Sequence, residues 1–160
     1  YFVHPFSSEA SLDQLSLPAV TKGREKVGKT LEDFEISGQV VVATGLDEQS
    51  YEQAVASARN QVAFYGSTPA YLPVLEVHGW QHMQKEWSAM TKEGRWAEMS
   101  ESVTDDMLHT FAVVGTVDEV AEKIVKRAEG RLTRVSPVIY QPNSELLEKL
   151  VTSIKSIQSN

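Results

Sequence analysis

Apolar positions along the chain fall into two patterns. Short, nearly continuous runs occur at Tyr1 to Val3, at Ile36 to Thr44 around Val40-Val41-Val42-Ala43, and at Val135 to Tyr140. Each run is β-branched and followed by a polar or glycine break, which predicts strands buried on both faces, as a parallel sheet requires. Elsewhere the apolar residues recur at three and four. Tyr51, Ala54, Val55, Ala58 and Val62 do so behind a capping Asp47, and that helix is expected to pack on the sheet. Val117, Val120, Ala121, Ile124, Val125 and Ala128 follow Thr116 and Glu119, which have capping-box spacing, and Gly130 supplies the stop. Leu146, Leu147, Leu150, Val151, Ile154 and Ile157 form the last stripe, starting at Asn143 or Ser144. Near the start, Ser7-Ser8-Glu9 opens a short helix. Pro18 lacks a backbone donor, so a second helix is read from about Leu17 to Val27, ended by Gly28.

Strand, helix, strand, helices, strand, helix is the order that repeated βα units produce through right-handed crossovers. The reading is an α/β fold of about three parallel strands, too few to close a barrel. The stretch from Gly66 to Gly115 holds no convincing strand and is too long for a simple crossover, so it is read as a helical insertion. One domain is expected over residues 1–160, and a domain of that size buries roughly 70% of the surface its unfolded chain exposes. Tyr1-Phe2-Val3 reads as the end of a buried strand, so the expectation is that this is part of a longer polypeptide.

Composition narrows the partners. The chain is 41% hydrophobic and 23% charged, as folded globular domains are, and its net charge of −7 disfavours phosphate backbones and anionic lipid. Nucleic acid and membranes are therefore not expected as partners. No apolar run nears the roughly 20 residues needed to span a bilayer. With no cysteine in the chain, disulfides and thiolate metal sites are ruled out, and the expected location is cytoplasmic.

Candidate chemistry follows from position. His4-Pro5-Phe6 comes directly after the first strand, at the sheet edge where α/β folds place ligands. In Phe64-Tyr65-Gly66-Ser67-Thr68-Pro69-Ala70-Tyr71, Gly66 ends one helix, Ser67 or Thr68 can cap the next, and Pro69 suits its first turn. Such a corner can hold an anion between aromatic walls or be an ordinary helix junction. His78 and His82 are four apart, but Gly79 weakens the helix between them and no metal is expected. Met83, Trp87 and Met90, followed by Trp96 and Met99, read as core or lid packing. Adjacent Asp105 and Asp106 diverge on any regular element and make a poor carboxylate pair. The G-x-S-x-G elbow, the Walker loop and G-x-G-x-x-G do not occur, which removes hydrolase, triphosphatase and Rossmann readings.

Taken in order, His4-Pro5-Phe6, Gln61 to Tyr71, His78-Gly79-Trp80, Lys92-Glu93-Gly94-Arg95-Trp96 and Phe111-Ala112-Val113-Val114-Gly115 resemble the C-terminal part of luciferase-like oxidoreductases. The resemblance is to the subgroup that depends on the deazaflavin coenzyme F420, related to flavin-dependent luciferase and alkane monooxygenases. It implies the C-terminal part of a (β/α)8 barrel, with the three runs as its sixth, seventh and eighth strands. It also implies hydride transfer between F420 and a small organic substrate, with Phe6, Tyr65, Ser67, Thr68 and Tyr71 at the cofactor and His4 as proton donor or orienting group. The family's N-terminal half supplies residues around the ring, so catalysis by these residues alone is not expected, whereas pairing with the rest of the barrel or homo-oligomerisation is. Alternatives are an FMN-dependent monooxygenase of the same fold and a non-catalytic partial-barrel interaction module.

Overall fold

The computed structural model describes residues 1–141 and 143–158. Strand β1 (Phe2–Val3) leads into a helix that changes pitch twice, from α1 (Glu9–Ser11) through a π-helical turn (Leu12–Ser16) into α2 (Leu17–Glu25). The two helices expected from Pro18 are thus joined. A proline ring crowds the carbonyl four residues back, and the wider π turn, in which the Leu17 amide reaches the Leu12 carbonyl, makes room for it.

The chain continues through β2 (Ser37–Ala43) and α3 (Glu48–Gly66), a 3₁₀ turn (Pro69–Tyr71), and the short helices α4 (Leu72–Glu76), α5 (Gln81–Glu93), α6 (Trp96–Glu101) and α7 (Asp105–Phe111). It closes with β3 (Ala112–Val114), α8 (Val117–Ala128), β4 (Arg134–Val138) and α9 (Ser144–Gln158). The capping boxes at Asp47–Ser50 and Thr116–Glu119 are formed, and Asn143 Oδ1 accepts the Glu145 and Leu146 amides at the start of α9.

All strand pairs are parallel. Strand β2 is central: β4 runs along it from Ser37↔Arg134 to Val41↔Val138, β1 pairs at Phe2↔Ser37 and Val3↔Gly38, and β3 pairs from Val41↔Ala112 to Ala43↔Val114. Because β4 occupies one edge of β2 over Ser37 to Val41, β1 and β3 must share the other. The short β3 therefore continues the lane in which two-residue β1 stops. Four strands, not three, are present among the described residues, and the insertion ends at Phe111 rather than Gly115. Strand β3 escapes the sequence pattern because it follows α7 without a break and its three apolar residues merge with Met107, Leu108 and Phe111.

Both faces of β2 are covered, as period-two alternation dictates. Val41 and Ala43 join Ala112, Val114 and residues of α3 and α5 to α7 in one core. Val40 and Val42 join Val113 and residues of α8 and α9 in the other. A smaller cluster of Val3, Leu12 and Ile36 closes the end where the strands begin. Gly38 leaves room for Leu132 to lie against the strand, since a Cβ there would lie 2.4 Å from Leu132 Cδ1 and displace it.

Candidate functional site

Parallel strands bring their C-terminal ends to one edge, and there His4 follows β1, Thr44 follows β2 and Tyr140 lies two residues beyond β4. The α3-to-α4 corner folds over this edge. Tyr71 Oη lies 2.9 Å from His4 Nε2, and the two rings stack with centroids 4.6 Å apart at 27°. The Tyr65 ring meets His4 edge-on at 4.7 Å. On its other side, His4 Nδ1 accepts the Phe6 amide at 3.1 Å. Desolvation holds the His4 imidazole below its usual pKa, so it is neutral near pH 7.

The ring contacts continue outward. Tyr65 touches Phe64 at 5.7 Å, and Phe64 approaches Trp96 at 6.5 Å; Phe64 and Trp96 are nearly half exposed. Tyr140 packs against the same core, and its buried hydroxyl faces the Tyr65 phenol without reaching hydrogen-bond geometry. Burial and that neighbour push the Tyr140 pKa up, so the phenol stays protonated. The result is an aromatic wall with hydroxyl and imidazole groups set into it.

The residues singled out from sequence do not all reach this wall. His4, Tyr65 and Tyr71 are brought together. Phe6 is 2% exposed and stacks on Phe111 at 4.3 Å, so it supports the wall from the core instead of presenting a face. The Ser67 hydroxyl donates to the Phe64 carbonyl at 2.7 Å, within its own helix end. Thr68 is the N-cap of the 3₁₀ turn, but its side chain makes no capping bond, and the turn is only three residues long. The turn runs directly into α4, which adds only five residues, so few peptide dipoles are aligned behind that helix start. Tyr140 was missed, although the positional argument used for His4 applies equally beyond β4.

Polar contacts fix the wall from behind. Ser8, 2% exposed, lies with its hydroxyl 2.8 Å from His78 Nε2, tying the loop after β1 to the insertion. The buried Arg127 guanidinium donates to the Ser7 carbonyl at 2.6 Å and the Thr110 carbonyl at 3.0 Å. Gln84 donates to the Ser67 carbonyl, and Trp87 Nε1 to Ser102 Oγ. Gly66 lets Trp87 pass, since a Cβ there would sit 2.3 Å from Trp87 Cζ3.

Among the described residues there is no cluster of three or more His, Cys, Asp or Glu able to hold a metal, and no helix is long and apolar enough to cross a membrane. A cavity of about 520 Å³ lies apart from the wall, where α3 and α8 begin. Asp47, Glu48 and Glu119 line it with a single lysine, Lys149, an unfavourable setting for an anionic cofactor. The wall is open on one side, and a planar ring with acceptor atoms at its rim suits such a surface through stacking and hydrogen bonds.

Comparison with known proteins decides the lineage. Residues 1–134 match the family of luciferase-like monooxygenases. The chain belongs to that family. Uncharacterized proteins of Mycobacterium tuberculosis and Mycobacterium bovis are 41% identical over 144 residues, which is 90% of this chain and 42% of each of theirs. A 5,10-methylenetetrahydromethanopterin reductase of Archaeoglobus fulgidus is 29% identical over 139 residues, 82% of this chain and 39% of its own. The solved F420-dependent tetrahydromethanopterin reductase from Methanopyrus kandleri superposes with a TM-score of 0.74 at 19% identity, over 94% of this chain and 43% of that one. Its luciferase-like barrel thereby shows the fold. The chain spans less than half the length of these relatives.

Proposed function

We propose that this chain forms the C-terminal part of the cofactor site in a cytoplasmic oxidoreductase that transfers hydride between F420 and a small organic substrate. The observation that carries the reading is the His4–Tyr71–Tyr65 cluster at the C-terminal edge of a parallel sheet, the edge at which such folds bind their ligands. The archaeal reductase and the F420-dependent structural neighbour support the choice of deazaflavin.

When bound, F420 supplies the hydride-accepting and hydride-donating ring, and the chain's own residues bind and orient it. Tyr65 and Tyr71 offer ring faces and edges, Tyr140 backs Tyr65, and Phe64 and Trp96 extend the apolar surface outward. The buried Phe6–Phe111 stack anchors the loop after β1 in the core, which matters because reacting groups need positioning to a fraction of an ångström. Shielding the ring from water requires an opposing wall. Open strand edges offer the rest of a barrel, or a second copy, a place to pair: Phe2 is 87% exposed, and neither β4 nor the β1–β3 lane has a further neighbour among the described residues.

The family's monooxygenase description favours a second reading, in which reduced FMN and molecular oxygen take the place of F420. Parallel titrations of the full-length protein separate the two. Binding of oxidised F420 is expected; tight binding of reduced FMN with oxygen consumption would replace the deazaflavin reading, and binding of neither would remove both. Tyr65→Ala with Tyr71→Ala is expected to abolish cofactor-dependent turnover. Unchanged turnover would move the site elsewhere.

A further inference from the structure

The hydrogen bonds around His4 determine which group offers a proton to a ligand. A backbone amide can only donate, so the Phe6 N–H that points at His4 Nδ1 requires that nitrogen to be bare. The neutral ring then carries its hydrogen on Nε2. That hydrogen faces Tyr71 Oη at 2.9 Å, making the tyrosine oxygen the acceptor. The tyrosine's own hydrogen has no acceptor among the described residues. Tyr71 is partly exposed, and the stacked imidazole restricts its ring on one side.

We infer that Tyr71, and not His4, is the hydrogen-bond donor to the ligand, that His4 is a positioning residue acting through it, and that the ligand atom recognised is a carbonyl-type acceptor on the rim of a planar ring. His4 has no hydrogen left to give, since its Nε2–H is engaged by Tyr71 and its Nδ1 by the backbone. By donating into Tyr71 Oη it directs the phenolic hydrogen away from itself and leaves that hydroxyl a committed donor. The inference rests on the ligand site being the aromatic wall, and of the two roles expected for His4, proton donor or orienting group, it selects the second.

Two measurements on the full-length protein test it. In the wild type, long-range proton–nitrogen NMR correlations of the histidines, with His4 assigned by its loss in His4→Gln, are expected to show Nε2 protonated and Nδ1 bare. A hydrogen on Nδ1 would overturn the inference, and the only variant the assignment needs is the conservative His4→Gln. Fluorescence titration with oxidised F420 then compares variants. Tyr71→Phe is expected to weaken binding about tenfold, the equivalent of roughly 1.4 kcal/mol. His4→Leu is expected to weaken it comparably, and His4→Gln, whose amide can still donate to Tyr71, to recover most of that loss. Wild-type binding with no change in Tyr71→Phe would overturn the donor role while leaving the F420 reading intact. Failure of the wild type to bind F420 would overturn that reading and the donor role with it, whatever tautomer His4 shows.

Discussion

Val40 and Val42 pack against Val120, Ile124 and Leu150, whereas Val41 and Ala43, their neighbours on the same strand, pack among Phe6, Met99, Met107 and Phe111. The α8–α9 side is aliphatic, both of its helices start at hydrogen-bonded caps, and its stripes keep helical period. The insertion side is aromatic and methionine-rich, built from α3 and a run of helices broken by frequent turns, and cross-linked by Ser8–His78, Gln84–Ser67 and Trp87–Ser102. One face is arranged for stability. The other holds a set of polar groups in register beneath an open wall, and its irregularity is the means of doing so.

Matched core truncations make the largest break between the two. Trp87→Ala empties a wholly buried site and removes the donor to Ser102, at a cost of about 3–5 kcal/mol. Ile124→Ala on the opposite face costs about 2–5 kcal/mol. Denaturant titration measures both. At conditions where each remains folded, cofactor affinity is expected to fall in Trp87→Ala and hold in Ile124→Ala; equal losses would mean that the faces are not functionally distinct.

Arg127 belongs to the α8 side by sequence yet reaches across to the loop after β1. Arg127→Met leaves the Ser7 and Thr110 carbonyls without this donor, an expected loss of about 1–3 kcal/mol. Cofactor affinity should fall with it, because Ser7 is three residues from His4. A smaller effect is expected at the α8 cap, where Thr116→Ala should cost about 1 kcal/mol and leave affinity unchanged.

The smallest difference is in pH dependence. His4 and His78 both lie on the insertion side, and burial holds both below the ordinary imidazole value. The unfolded chain therefore takes up these protons first. Their contribution to stability is complete above about pH 6.5 and is lost as pH falls through the lowered folded values. On the α8 side, Glu119 is held below the usual carboxylate range by bonds from the Thr116 amide and hydroxyl, so its contribution persists until more acid pH. His4→Gln with His78→Gln should flatten the stability profile just below neutrality, read by thermal melts across pH. An unchanged profile would contradict the assignment.

What the sequence made legible follows the same division. The stripes of α3, α8 and α9 could be read because one buried face repeats over many residues, and β2 because its apolar run is nearly continuous; β4 was found from its β-branched run, but it lies at the sheet edge and is not buried on both faces as expected. Thr116 and Glu119 marked a helix start through a purely local bond pattern. Strand β3 was hidden because three residues are too few to show a period. At the candidate site, the strand-end position of His4 and the corner chemistry of Tyr65 and Tyr71 pointed to three side chains that the fold brings into contact. Phe6, Ser67 and Thr68 could not be placed, since whether a side chain faces the wall or the core depends on long-range contacts such as Phe6–Phe111. Tyr140 required knowing which strand ends lie side by side.

The most direct test of the wall as the ligand site is a crystal structure of the full-length protein with F420 bound. The predicted result is a ring in van der Waals contact with Tyr65 and Tyr71, with an acceptor atom within hydrogen-bond distance of Tyr71 Oη. A ring bound away from His4, Tyr65 and Tyr71, for example in the cavity between Asp47 and Thr116, would contradict it.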